Sequence, residues 1–137
     1  MIENKDFETL TAQDEQVAVS IYPELLDSDT QQNELWAYCL RIENKSDEPI
    51  RLLSKEFCVT DNWGNNHYEC TQGFHGQLPD LEPNECFEFE DTTTINGAAA
   101  VLYGTCQAVN SQGKIMTIKL PVVMFDSQKK FQKISAH

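Results

Sequence analysis

Residues 34–64, ELWAYCLRIENKSDEPIRLLSKEFCVTDNWG, constrain the fold more than any other stretch. In the first half, Trp36, Tyr38, Leu40 and Ile42 alternate with Ala37, Cys39 and Arg41. A helix would scatter that apolar set around its circumference, whereas a strand puts it on one face. The polar run Asn44-Lys45-Ser46-Asp47-Glu48-Pro49 favours a chain reversal. The returning half repeats the alternation, with Leu53, Phe57 and Val59 on one side. The stretch reads as a central hairpin whose apolar face needs a second layer to cover it.

The remainder continues in the same idiom. Residues 16–22 alternate Val17, Val19 and Ile21 as a first strand, ended by Pro23, and residues 24–33 form a polar crossing. Asp61-Asn62-Trp63-Gly64-Asn65 is a tight turn, followed by a short strand over 66–70, a glycine-bearing loop over 71–79 and a turn over 80–85. Residues 85–91 point Phe87 and Phe89 inward and Glu88 and Glu90 outward, with a loop over 92–98. Residues 99–109 and 114–122 make a terminal hairpin around Asn110-Ser111-Gln112-Gly113, in which Pro121 marks an edge or a bend. No segment sustains a helical period. Roughly seven or eight short strands imply an all-β antiparallel sandwich. The domain divides into a flexible acidic N-terminus (1–15), the sandwich (16–125) and a basic C-terminal tail (126–137).

Charge and cysteine usage exclude several classes. The 137 residues carry a formal net charge of −12, a field that repels nucleic acid and anionic membrane. The lysines at 129, 130 and 133 read as a solvated end. No apolar run approaches the roughly 20 residues of a membrane span, and the N-terminus lacks a secretory h-region; a cytoplasmic location is expected. Cys39, Cys58, Cys70, Cys86 and Cys106 are odd in number and contain no CxxC, so they read as reduced and structural. Cys106 reads as core filler, and Cys39, Cys58 and Cys86 as outer-face residues.

Candidate chemistry is sparse. His67, Glu69, Cys70 and His75 lie close together, but Cys70 points away from His67 and Glu69 on a strand, and the spacing fits no zinc pattern. No metal or cofactor is expected. The serines lack a nucleophile elbow and the carboxylates read as an outer face, so the chain is expected not to be an enzyme. Recognition through a surface remains. Trp63, an indole in a polar turn, either covers the end of the core or anchors a partner. Leu35, Ala37 and Cys39 could mark a homodimer face or a second core layer.

The segments WAYCLRIEN, EPIRLLSKEFCVTDNWGN and GFHGQLPDLEPNE, with LYGTC and KLP towards the end, resemble the ApaG family across residues 17–125. The resemblance implies an immunoglobulin/fibronectin III-like sandwich. Bacterial members are linked by name to cobalt and magnesium efflux, and eukaryotic relatives suggest a protein-interaction module. The family also carries a GxGxxG-like loop. Here its positions are Thr71, Gly73 and Gly76, so the first glycine is missing, and Gln77-Leu78-Pro79 follows instead of a helix. Gly73 and Gly76 then serve a tight loop that packs Phe74 onto the sandwich, with His75 its one potential cation. The expectation is a protein-interaction module with a protein partner or a second copy. A small-ligand module for phosphate compounds or divalent cations is the alternative. Trp63, Gly73, Phe74, His75 and Gly76 are the candidate binding residues, with the 61–64 turn facing the glycine loop.

Overall fold

The computed structural model describes residues 8–12, 16–28, 33–97 and 99–127. The expected loose N-terminus and basic tail lie largely outside the described residues. Among those described, ten strands form: β1 (Glu8–Ala12), β2 (Val17–Ser28), β3 (Asn33–Asn44), β4 (Ile50–Asp61), β5 (Asn66–Gln72), β6 (Asp80–Leu81), β7 (Cys86–Asn96), β8 (Ala99–Asn110), β9 (Ile115–Lys119) and β10 (Val123–Asp126). They build an all-β antiparallel sandwich. One sheet has the order β1-β2-β3-β7; the other runs β10-β8-β4-β5, with β6 paired to β4 and β9 to β8.

The central hairpin does not form. β3 pairs with β2 and β7, and β4 pairs with β5, β6 and β8, so the two lie in opposite sheets. The 44–49 turn is a corner between layers, and its anchor is Asn44, which is fully buried. The Asn44 amide donates to Glu48 O and Leu81 O, and its Oδ1 accepts from Ser46 N–H and Ser46 Oγ–H. With every polar atom satisfied, a buried carboxamide fixes the corner. The apolar faces of β3 and β4 then meet across the core, as when Tyr38 and Phe57 contact edge to face at 6.2 Å.

Strands β2 and β7 outrun their expected ends. Pro23 lies inside β2, paired with Tyr38. β1 reaches only Ile21, so β2 is an edge from Tyr22 onward, where a residue without N–H is tolerated. β2 accordingly extends to Ser28, into the expected crossing; residues 29–32 lie outside the described set. β7 runs to Asn96 through Thr92, Thr93 and Thr94, because β3 pairs with it throughout and β-branched residues suit a pleated sheet. Pro121 does mark a bend: β9 and β10 are two pieces on the same side of β8, and Leu120 N–H donates to Gly104 O between them.

A bulge in β4 alters what the core contains. Leu52 pairs with Ala108 and Ser54 with Gln107, leaving Leu53 as the extra residue. Parity flips there. Leu52 is in the core and Leu53 only half-buried, against the expected inward Leu53. Beyond the bulge Lys55, Phe57 and Val59 point inward. Opposite Phe57, β4 and β8 approach so closely that a Cβ on Gly104 would lie 2.1 Å from Glu56 O.

Candidate functional site

The two sides of the sandwich differ. On one, β10 packs against β2 and β1 against β9. On the other, β5 and β7 are terminal strands with a cleft of about 180 Å³ between them. Tyr38, Phe57, Val59 and Leu102 form its floor, and His67, Tyr68, Glu69, Thr92 and Thr93 its rim.

Lys55 stands beside this floor. Its side chain is 2% exposed, and Nζ lies 3.0 Å from Glu69 Oε1. That contact is an ion pair without hydrogen-bond direction, so the ammonium has no hydrogen-bond acceptor. It lies over two rings, 5.1 Å from the Phe57 centroid and 5.3 Å from that of Phe89, an arrangement favourable for a desolvated cation. Burial, and then the charges of Asp91 and Glu69, push the Tyr38 phenol well above its ordinary range. Cys106, across from Lys55 on β8, is fully buried. Burial pushes its thiol up to about 12, with Lys55 pulling the other way.

The expected site residues divide between the two ends of β5. Gly73, Phe74, His75 and Gly76 follow its C-terminal end, while Trp63 precedes its N-terminal end. Seven residues of strand, about 20 Å, separate them, so the 61–64 turn does not face the glycine loop. Trp63 is 64% exposed, and its indole lies over Gly97, where a Cβ would come within 2.9 Å of Nε1. Around it, Asp61 Oδ1 accepts from the amides of Trp63 and Asn65.

The glycine loop follows β5 and packs against β7. His75 and Gly76 have φ of 52° and 81°, the two positive values of a type I′ turn, and Phe74 and Gln77 exchange backbone hydrogen bonds across it. Gly73 N–H donates to Leu53 O. A side chain at Gly73 would drive a Cβ to 2.6 Å from Gln77 O. The amides of Gly73, Phe74 and Gln77 are thus occupied within the protein. Phe74 is buried, 5.3 Å from both Phe87 and Phe89. His75 packs on Phe89 at 4.6 Å, with Nε2 3.5 Å from Asp91 Oδ2. Among the described residues, no group of three or more His, Cys, Asp or Glu is placed to hold a metal ion.

Sequence reasoning missed Lys55 and Asp91, although Lys55 shares the parity of Phe57 and Val59 on the inward face. It also missed the outer face of the six-stranded sheet. Pairing lines up Tyr103, Cys58 and Tyr68 there in one row, and Met124, Val101 and Thr60 in the next. Tyr68 is 69% exposed, and Tyr103 and Met124 are also exposed. Cys58 thus takes the expected outer-face position, yet its neighbours there bury it. Cys86 is exposed, and Cys39 half-buried with Leu35 and Ala37.

β5 itself is an open edge, with all seven residues exposed. Asp61 N–H donates to Asn65 O, and Gly73 N–H to Leu53 O. The alternation of an antiparallel ladder between those points turns the amides of Asn66, Tyr68, Cys70 and Gln72 away from β4.

A family model described as the ApaG domain matches residues 25–110. The Protein ApaG of Parvibaculum lavamentivorans is 30% identical over 93 residues, covering 68% of this chain and 72% of that protein. That of Rhodospirillum centenum is 30% identical over 114 residues, covering 81% and 88%. The crystal structure of the putative ApaA protein from Bordetella pertussis has a TM-score of 0.77 at 26% identity, covering 80% of this chain and 92% of that one. The X-ray structure of the structural-genomics target SoR45 has a TM-score of 0.78 at 20% identity, covering 84% and 89%, a likeness of fold alone.

Proposed function

The chain belongs to the ApaG family, and from that premise we propose a non-catalytic interaction module that receives an extended, basic segment of a partner protein along the free edge of β5. The observation that carries this reading is the edge itself. Seven exposed residues, Asn66–Gln72, present a row of outward amides and carry neither Lys nor Pro, two residues that commonly discourage strand addition. The β7 edge differs: Glu88 and Glu90 are exposed on it. Beside β5, Tyr68 and Tyr103 offer aromatic surface of the kind that anchors partners.

Charge selects the partner's chemistry. The net charge is −12, and no Lys or Arg occurs from 56 to 113. Glu56 lies close enough to Tyr68 to raise its phenol pKa, as the largest cause of that shift. A strand alternating Lys or Arg with β-branched residues complements this surface; an acidic one is repelled. The five free cysteines suit the reducing conditions of a cytoplasm.

The test is selection of extended peptides from a displayed random library, followed by amide chemical-shift mapping. Basic β-formers should be selected, with shifts centred on residues 66–72. Cys70→Pro removes one outward amide without touching the β4 ladder and should reduce affinity at least tenfold. Shifts centred elsewhere, or unchanged affinity in that variant, would overturn the proposal.

A further inference from the structure

Independently of the β5 edge, a set of charges lies beside the cleft behind it, and the interaction reading does not use them. Lysine is almost never fully buried unless paired, and an ammonium offers three donors. Lys55 has one ion-pair neighbour, Glu69, and no hydrogen-bond acceptor. Phe57 and Phe89 hold it in place. The Glu69 side chain is 49% exposed and can turn from Lys55 towards the mouth. Asp91, on β7, is only partly buried and lies close enough to Tyr38 of the floor to raise its phenol pKa. Beyond the charges the floor is formed by Phe57, Val59 and Leu102, with the Tyr38 phenol among them.

Size and charge narrow the occupant. A cleft of about 180 Å³ has the volume of about six waters, below the roughly 300 Å³ at which drug-sized pockets begin. A simple anion meets Glu69, Asp91 and a net charge of −12; a simple cation leaves Lys55 without an acceptor. A zwitterion satisfies both signs and is not repelled.

We propose that the mouth between β5 and β7 binds a small α-amino acid with a branched or aromatic side chain. Its carboxylate accepts from Lys55 Nζ. Its ammonium lies between Glu69 and Asp91, and its side chain rests on Phe57, Val59 and Leu102. Charge-assisted hydrogen bonds at both ends supply selectivity.

The test is isothermal titration of the full chain with valine, leucine, isoleucine and phenylalanine, with leucinamide and N-acetyl-leucine as single-charge controls. At least one amino acid should bind saturably, and both leucine derivatives should bind at least tenfold more weakly than leucine. Lys55→Met, which preserves length and apolar bulk, should abolish binding. Glu69→Gln, at a half-exposed position, should weaken leucine severalfold and leave N-acetyl-leucine unchanged; it serves even where the lysine variant does not fold. Absence of saturable binding by all four amino acids overturns the proposal, as does undiminished affinity in Lys55→Met or Glu69→Gln. If N-acetyl-leucine binds as well as leucine, the amino-acid assignment is overturned in favour of a carboxylate or peptide C-terminus site.

Discussion

Gly104→Ala should be among the most damaging single-methyl additions to this chain, and the reason is backbone rather than side chain. The new Cβ would lie 2.1 Å from Glu56 O, 2.9 Å from Phe57 Cα and 3.0 Å from Glu56 C. None of those atoms is the end of a flexible side chain. Relief requires β8 to move away from β4 by about 1 Å, beyond what a ladder hydrogen bond tolerates. Losing about two such bonds costs about 1 kcal/mol each, and overpacking adds about 1–3 kcal/mol. The sum, about 3–5 kcal/mol, is a large part of the roughly 5–15 kcal/mol that holds a domain folded. At about 2.1 cal/mol/K per residue, the unfolding entropy of 137 residues is about 0.29 kcal/mol/K. Tm should therefore fall by about 10–17 °C. Gly113→Ala is the control, because a Cβ there meets nothing within 4 Å and only its φ of 80° resists. It should cost about 1–2 kcal/mol, or about 3–7 °C. Scanning calorimetry of the three proteins decides the matter. A drop for Gly104→Ala no larger than that of Gly113→Ala would refute the close-approach argument.

Two other expectations follow from buried polar groups and thiols. Asn44→Ala strands the Leu81 carbonyl at the corner between sheets and leaves Glu48 O to the Ser46 hydroxyl, so chemical denaturation should show a loss of about 1–3 kcal/mol; a loss well below about 1 kcal/mol would mean that water replaces the carboxamide. Iodoacetamide at mildly alkaline pH should alkylate the exposed Cys70 and Cys86 first and leave the buried Cys58 and Cys106 intact until unfolding; mass spectrometry showing Cys106 modified as fast as Cys70 would contradict its burial.

The fold class was legible because alternation is a local signal. Trp36, Tyr38, Leu40 and Ile42 are all buried as their spacing implies, and the β8–β9 hairpin turns where Asn110 and Gly113 place it. The partnership of strands was not legible. Residues 34–64 read as a hairpin because a polar turn with a proline serves a hairpin and a corner equally well; the buried Asn44, which distinguishes them, reads as one more turn residue. Pro23 misled for a related reason, since its effect depends on where a neighbouring strand stops. The candidate site was legible in part. Phe74 packs into the sandwich as expected, but Trp63 is at the far end of β5, since order along the chain says little about which end of a sheet a turn occupies. Lys55 shares the parity of Phe57 and Val59, but a lysine reads by default as a surface residue, and nothing local marks it as buried.

That extra residue, Leu53, works like a reading frame. Upstream of it even-numbered side chains face the core; downstream, odd-numbered ones do. Were Leu53 instead paired as an ordinary ladder residue, Glu56 and Cys58 would replace Lys55 and Phe57 on the inner face. A sandwich would then hide a carboxylate where it now hides an ammonium. The sign of the charge beside Tyr38 is therefore set by pairing, and comparison of this chain with its relatives should ask whether the residue at 53 is bulged out or paired before the identity of any residue around it.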